Sequence, residues 1–76
     1  MNSPHRGFTP LTTAQLVDLL RQSNPNCSLS ESRVRHALRS GRVQRPARLG
    51  LNLAWNRDDI VALCSALALE LPEVLQ

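Results

Sequence analysis

The sequence contains no lysine and no tyrosine, and only one phenylalanine, one tryptophan, three glycines and two cysteines. Each scarcity excludes something. With Phe8 and Trp55 as the only aromatic side chains, a core has to be assembled from Leu, Val, Ile and Ala, a composition that suits helices. Cys27 and Cys64 stand far apart with no CxxC pair. With His5 and His36 they match no metal-ligand spacing, so a disulfide framework and a zinc site are both unsupported, and two reduced thiols with no cofactor are expected. Long apolar runs are missing too. The longest, Ile60 to Leu71, is too short and too interrupted to span a bilayer, and neither end shows the charged-then-apolar pattern of a leader. A cytoplasmic protein with no membrane partner is the expectation. At 76 residues, 42% of them apolar, the chain has room for one small core and no second domain.

Charge of one sign is also missing over a third of the chain. From Met1 to Glu31, Arg6 and Arg21 balance Asp18 and Glu31; from Ser32 to Arg57 there are seven arginines and no acid; from Asp58 onward there are four acids and no base. The net charge of +3 therefore understates one concentrated cationic segment. All nine basic residues are arginine, whose planar fork of donors fits phosphates and the guanine edge in two-point contacts where lysine offers a point charge. Arginine-rich codon usage accounts for the choice of Arg over Lys, but not for the clustering. A solvated helix face is the plain alternative to a ligand-binding one. Nothing marks an enzyme: no nucleophile with a neighbouring base, no glycine-rich phosphate loop, and Asp58 and Asp59 are accounted for by helix capping. No catalytic residue is expected.

Residues 1–10, with Pro4, Gly7 and Pro10, are expected to form a flexible arm, Phe8 anchoring it to the core. Thr12 followed by Gln15 is a capping box, and Leu16, Leu19 and Leu20 recur at helical spacing, which predicts a first helix from about Thr13 to Gln22. The turn formers Ser23-Asn24-Pro25-Asn26 must end it. Two caps compete for the next helix, Ser28 with Glu31, or Ser30; Ser30 is preferred. In that helix Val34, Ala37 and Leu38 share one face, Ser32, Arg35, His36 and Arg39 the other, with Arg33 at the flank, and Gly41 is the left-handed stop.

From Arg42 to Asn56 the pattern turns to alternation, with Leu51, Leu53 and Trp55 at period two, which predicts a hairpin. Gly50 is its turn position, and Pro46 requires an edge strand. Trp55 can stack on a base, but at strand spacing it is better read as core beneath the hairpin. Asn56 caps a third helix, Asp58 and Asp59 sit in its first turn, and Ile60, Leu63, Cys64, Leu67 and Leu71 make its apolar face, with Pro72 at or past its end. The domain is placed at residues 11–71 and a tail at 72–76.

The expected fold is mostly α with a small β-hairpin: three helices and a two-stranded wing between the second and third, the layout of a winged helix-turn-helix. The basic residues fall on the parts of such a fold that face DNA. Ser32, Arg35, His36 and Arg39, with Arg33, are candidates for the helix that enters the major groove, and Arg42, Arg45, Arg48 and Asn52 for the wing. Ser30 is a cap first, and a phosphate contact through its place at the helix N-terminus. His36 serves equally as a donor to a base edge or as a merely exposed side chain.

These residues also resemble a family. Leu29-Ser30 is similar to the Val-Ser that opens the recognition helix of MerR-type and phage-excisionase-type winged helix-turn-helix domains. Leu38-Arg39-Ser40-Gly41-Arg42-Val43 looks like their helix ending and entry to the wing, and Arg48-Leu49-Gly50 like the wing itself. Asn56-Arg57-Asp58-Asp59-Ile60 resembles the start of their next helix, and Leu11 to Leu16 their opening helix. The likeness runs from about Leu11 to Leu69. The turn from Ser23 to Cys27 is several residues longer than is usual there, and the long dimerising helix of full MerR-type regulators has no counterpart, which brings the likeness nearer to the small excisionase-like proteins. It implies sequence-specific binding of double-stranded DNA, in transcriptional regulation or as a recombination factor, alone or as a dimer or cooperative assembly. The alternative is a protein-interaction module in which Leu69, Leu71, Val74 and Leu75 dock a recombinase, a terminase subunit or a second copy.

Overall fold

The computed structural model describes residues 9–76. Most of the expected arm, including the Phe8 anchor and His5, lies outside the described residues. Three helices and one antiparallel hairpin follow in the order α1 (Thr13–Ser23), α2 (Glu31–Arg39), β1 (Ala47–Leu49), β2 (Asn52–Ala54) and α3 (Arg57–Leu67), with a single 3-10 turn at Glu73–Leu75. Among the described residues no helix is long and apolar enough to cross a membrane.

α1 starts where its capping box places it. The Gln15 N–H donates to the Thr12 hydroxyl at 3.2 Å, and the Thr12 N–H donates to Gln15 Oε1 at 3.0 Å, so two donors that a helix start leaves orphaned are satisfied reciprocally. Of the two caps competing for α2, Ser30 is the one used, its hydroxyl accepting from the Arg33 N–H at 3.3 Å. α2 closes in a Schellman arrangement: Gly41 takes φ +80, its N–H donates to Leu38 O, and the Arg42 N–H donates back to Ala37 O. In the hairpin, Leu49 pairs with Asn52, leaving Gly50 and Leu51 as the two turn residues. Gly50 carries a positive φ of 66 while Leu51 does not, the pattern of a type II′ turn, whose twist matches that of the flanking strands.

The strands are shorter than the alternation predicts. Arg42 to Pro46 runs unpaired into β1, and Pro46, buried, stands immediately ahead of the strand, where its missing N–H costs no ladder bond. Beyond β2, Leu11 and Trp55 exchange both backbone hydrogen bonds, at 3.0 and 2.9 Å, tying the entry of α1 to the exit of the hairpin. Trp55 is completely buried, and its indole N–H is satisfied by the Thr13 hydroxyl at 3.0 Å, so it is a core residue rather than a stacking platform. Around it pack Leu16, Leu20, Leu29, Val34, Ile60 and Leu63.

Two expectations need correction. α3 does not extend to Leu71; it stops at Leu67, because Ala68 turns left-handed (φ 56) and the Leu69 N–H donates to Cys64 O at 2.8 Å, closing the helix end. The chain then folds back and brings Leu75, 2% exposed, into the core, with Leu69 and Leu71 packed against it. Of the four residues of the expected docking strip, Leu75 is thus core, Leu69 and Leu71 are partly buried against it, and Val74 is exposed.

The long turn before α2 has a structural use. The Asn24 amide donates to Leu20 O at 2.9 Å and to Glu70 O at 3.1 Å, while its carbonyl accepts from the Glu70 N–H at 2.8 Å. One turn residue thus caps α1 and clasps the returning C-terminal segment.

Candidate functional site

Residues 32, 35, 36 and 39 stand in the i, i+3, i+4, i+7 relation, so α2 presents Ser32, Arg35, His36 and Arg39 along one exposed stripe opposite the buried Val34, Ala37 and Leu38. The stripe is divided between two depressions. On one side a cleft of about 520 Å³ lies between α2, the hairpin and the start of α1, and Arg35, Arg39, Arg45 and Asn52 line it together with Thr12, Thr13, Glu31 and Leu51. On the other, a shallower cleft of about 290 Å³ is lined by Ser32, Arg33, His36 and Arg42, with Leu67 of α3 as a wall. Arg48 belongs to neither and stands exposed on β1.

No known protein-family model, curated protein or solved structure matches the chain. What the site does has to be read from its own chemistry.

The fold brings residues far apart in sequence together: Arg35 and Arg39 come from α2, while Arg45 and Asn52 come from the lead-in to β1 and from β2. Three guanidinium groups with one facing carboxylate leave the large cleft cationic. That carboxylate is Glu31, whose Oε1 lies 3.5 Å from Arg35 Nη1 in an i, i+4 pair with both side chains about half exposed. Such a pair is weak in water, so Arg35 remains available to a stronger acceptor. The hydroxyls in the cleft wall are already engaged, Thr12 as the α1 cap and Thr13 as the partner of Trp55.

Other expected site residues are more committed. Ser30 accepts from the Arg33 N–H, which makes it a cap. Arg33 turns back toward the preceding turn, its Nη1 3.4 Å from Cys27 Sγ. Arg57, counted in the basic run, leaves it in three dimensions: its Nε donates to Leu75 O at 2.9 Å and its Nη1 lies 3.7 Å from Asp58, so it fastens the C-terminal turn to α3. Cys64 sits in the core, where burial raises its thiol above the ordinary range and keeps it neutral.

Sequence patterning overlooked Glu31 and Leu51. In sequence Glu31 reads as the capping partner of Ser28, and only the placement of Arg45 across the cleft shows that it faces a cationic wall. Leu51 reads as one of an alternating series with Leu53 and Trp55, yet it is 96% exposed.

Proposed function

We propose that this chain is a sequence-specific duplex-DNA-binding module with winged helix-turn-helix topology, of the MerR-type or excisionase-like kind, serving as a small transcriptional regulator or recombination accessory factor and not as an enzyme. The observation that carries this is the convergence of Arg35 and Arg39 from α2 with Arg45 and Asn52 from the hairpin segment on one cleft. A helix laid in a major groove presents such a stripe to base edges, and the hairpin beside it reaches the flanking backbone. Arg35 and Arg39 are the base-reading residues in this arrangement. Arg42, Arg45 and Arg48 supply phosphate contacts that position the module without reading sequence. The rival interaction module loses most of its apolar strip, because Leu75 is core and Leu69 and Leu71 pack against it. A domain this small covers little DNA, so two copies on adjacent sites are expected to act together.

Fluorescence anisotropy with labelled duplexes, one random and others from the gene's own neighbourhood, tests the proposal. Three to five phosphate contacts give a slope of log K against log salt of about −3 to −5. Arg35→Ala should weaken the preferred site and flatten the preference by about 1–3 kcal/mol, whereas Arg48→Ala should weaken every duplex alike and reduce the slope by about 1. No binding at low salt would end the proposal, and equal, sequence-blind losses for both variants would remove α2 from the reading role.

A further inference from the structure

The tip of the hairpin breaks the rule its own turn sets. A type II′ turn with glycine first ordinarily takes Asn, Asp or Ser next, because that position points into water. Here Leu51 occupies it and is 96% exposed, and Leu49, on the other side of Gly50, is 73% exposed. Neither side chain belongs to the core, whereas Leu53, two residues on, does pack against it. Two leucines left outside the core, side by side with the turn glycine at the tip of the hairpin, call for an external partner.

Charge identifies the kind of partner. No acid occurs between Ser32 and Arg57; Arg45 precedes the strands, Arg48 adjoins Leu49, and Leu51 itself borders the cleft that Arg35, Arg39 and Arg45 line. The surface that accepts this tip must therefore be negatively charged around an apolar slot. A minor groove has that combination: phosphate walls, and stacked bases between which an apolar side chain can be inserted. Only the side chains at the tip, not the paired strands, have to enter it.

We infer that Leu49 and Leu51 form an apolar wedge that enters the DNA minor groove beside the site read by α2 and unstacks one base step. The inference rests on the DNA-binding proposal. Burial of the leucines offsets the cost of unstacking, so the wedge changes the shape of the DNA more than the affinity for it.

The test uses the full chain and duplexes carrying 2-aminopurine at successive positions across the bound site, with anisotropy recorded on the same samples. The wild type should bind and raise 2-aminopurine emission at one flanking step. Leu49→Ser with Leu51→Ser, which alters no buried contact and gives the turn a residue it favours, should keep binding within about tenfold while losing that rise. An unchanged rise in the double variant would overturn the wedge, as would a wild type that binds with no rise at any position. A tip whose serine variant lost sedimentation-detected self-association, with no emission change in either protein, would belong to a second copy and overturn it equally. A wild type that binds no duplex at all would instead fail the DNA-binding proposal on which the wedge rests.

Discussion

Replacing Asn24 by alanine should loosen the fold at a point remote from the cleft. Its side chain makes three hydrogen bonds, two donated to Leu20 O and Glu70 O and one accepted from the Glu70 N–H. Each contributes a net 0.5–1.5 kcal/mol or so, and the two to Glu70 lie where water can replace the lost partner, so the total is about 2 kcal/mol. In a domain of this size that corresponds to a fall in melting temperature of about 8–16 °C, measurable by far-ultraviolet circular dichroism. Asn24→Asp sharpens the test. It keeps the acceptor for Glu70 N–H but turns a carboxylate oxygen toward two carbonyl oxygens, so it should melt below Asn24→Ala. Below their melting temperatures both variants should bind DNA like the wild type, since Asn24 touches neither cleft. A melting temperature for Asn24→Ala within about 2 °C of wild type, or Asn24→Asp more stable than Asn24→Ala, would refute the clasp.

Two further outcomes follow from single side chains. Glu31→Gln removes the only carboxylate in the large cleft; duplex affinity should rise by about 0.5–1 kcal/mol in low-salt anisotropy titrations. Its stability should fall slightly, because the pair with Arg35 and a favourable first-turn charge on α2 are both lost. Ala68→Gly relieves an alanine held at φ 56 on an exposed residue, so it should stabilise by about 0.5–1 kcal/mol and raise the melting temperature by a few degrees.

Local chemistry made much of this fold legible in advance. Thr12 with Gln15, Ser30, Gly41 and Gly50 each act within a few residues of themselves, through a cap, a stop or a turn, and Asn56 stands at the start of α3 with its N–H donating to Asp59 Oδ2 at 3.0 Å. Expectation departs where distant residues decide. Periodicity predicts α3 through Leu71 because Leu67 and Leu71 are spaced for one helix face. The helix ends early because turning back at Ala68 lets Leu75 enter the core and lets Asn24 hold Glu70, partners 46 residues apart that no window of sequence brings together. The arginines divide the same way. Their concentration is plain from composition, but that Arg57 fastens the C-terminal turn while Arg45 faces Arg35 and Arg39 depends on the path of the chain after Gly41.

That path also explains how the cleft keeps its shape. A binding surface of the proposed kind, built from two separate elements, works only if they hold a fixed relation, because misplacing one wall leaves arginines that repel one another and share no ligand. The wall from α2 is held by Val34, Ala37 and Leu38, and the wall from β2 by Leu53 and Trp55, all packed into or against one apolar cluster. Trp55 is where these constraints meet: its backbone pairs with Leu11, its indole N–H reaches Thr13, and its ring lies fully buried in the same cluster that receives α2. The start of α1 is thereby fixed to the hairpin at the edge of the cleft, with Thr12 and Thr13 forming part of its wall. The one large aromatic side chain among the described residues is thus placed at the joint between the two DNA-facing elements of the proposed module.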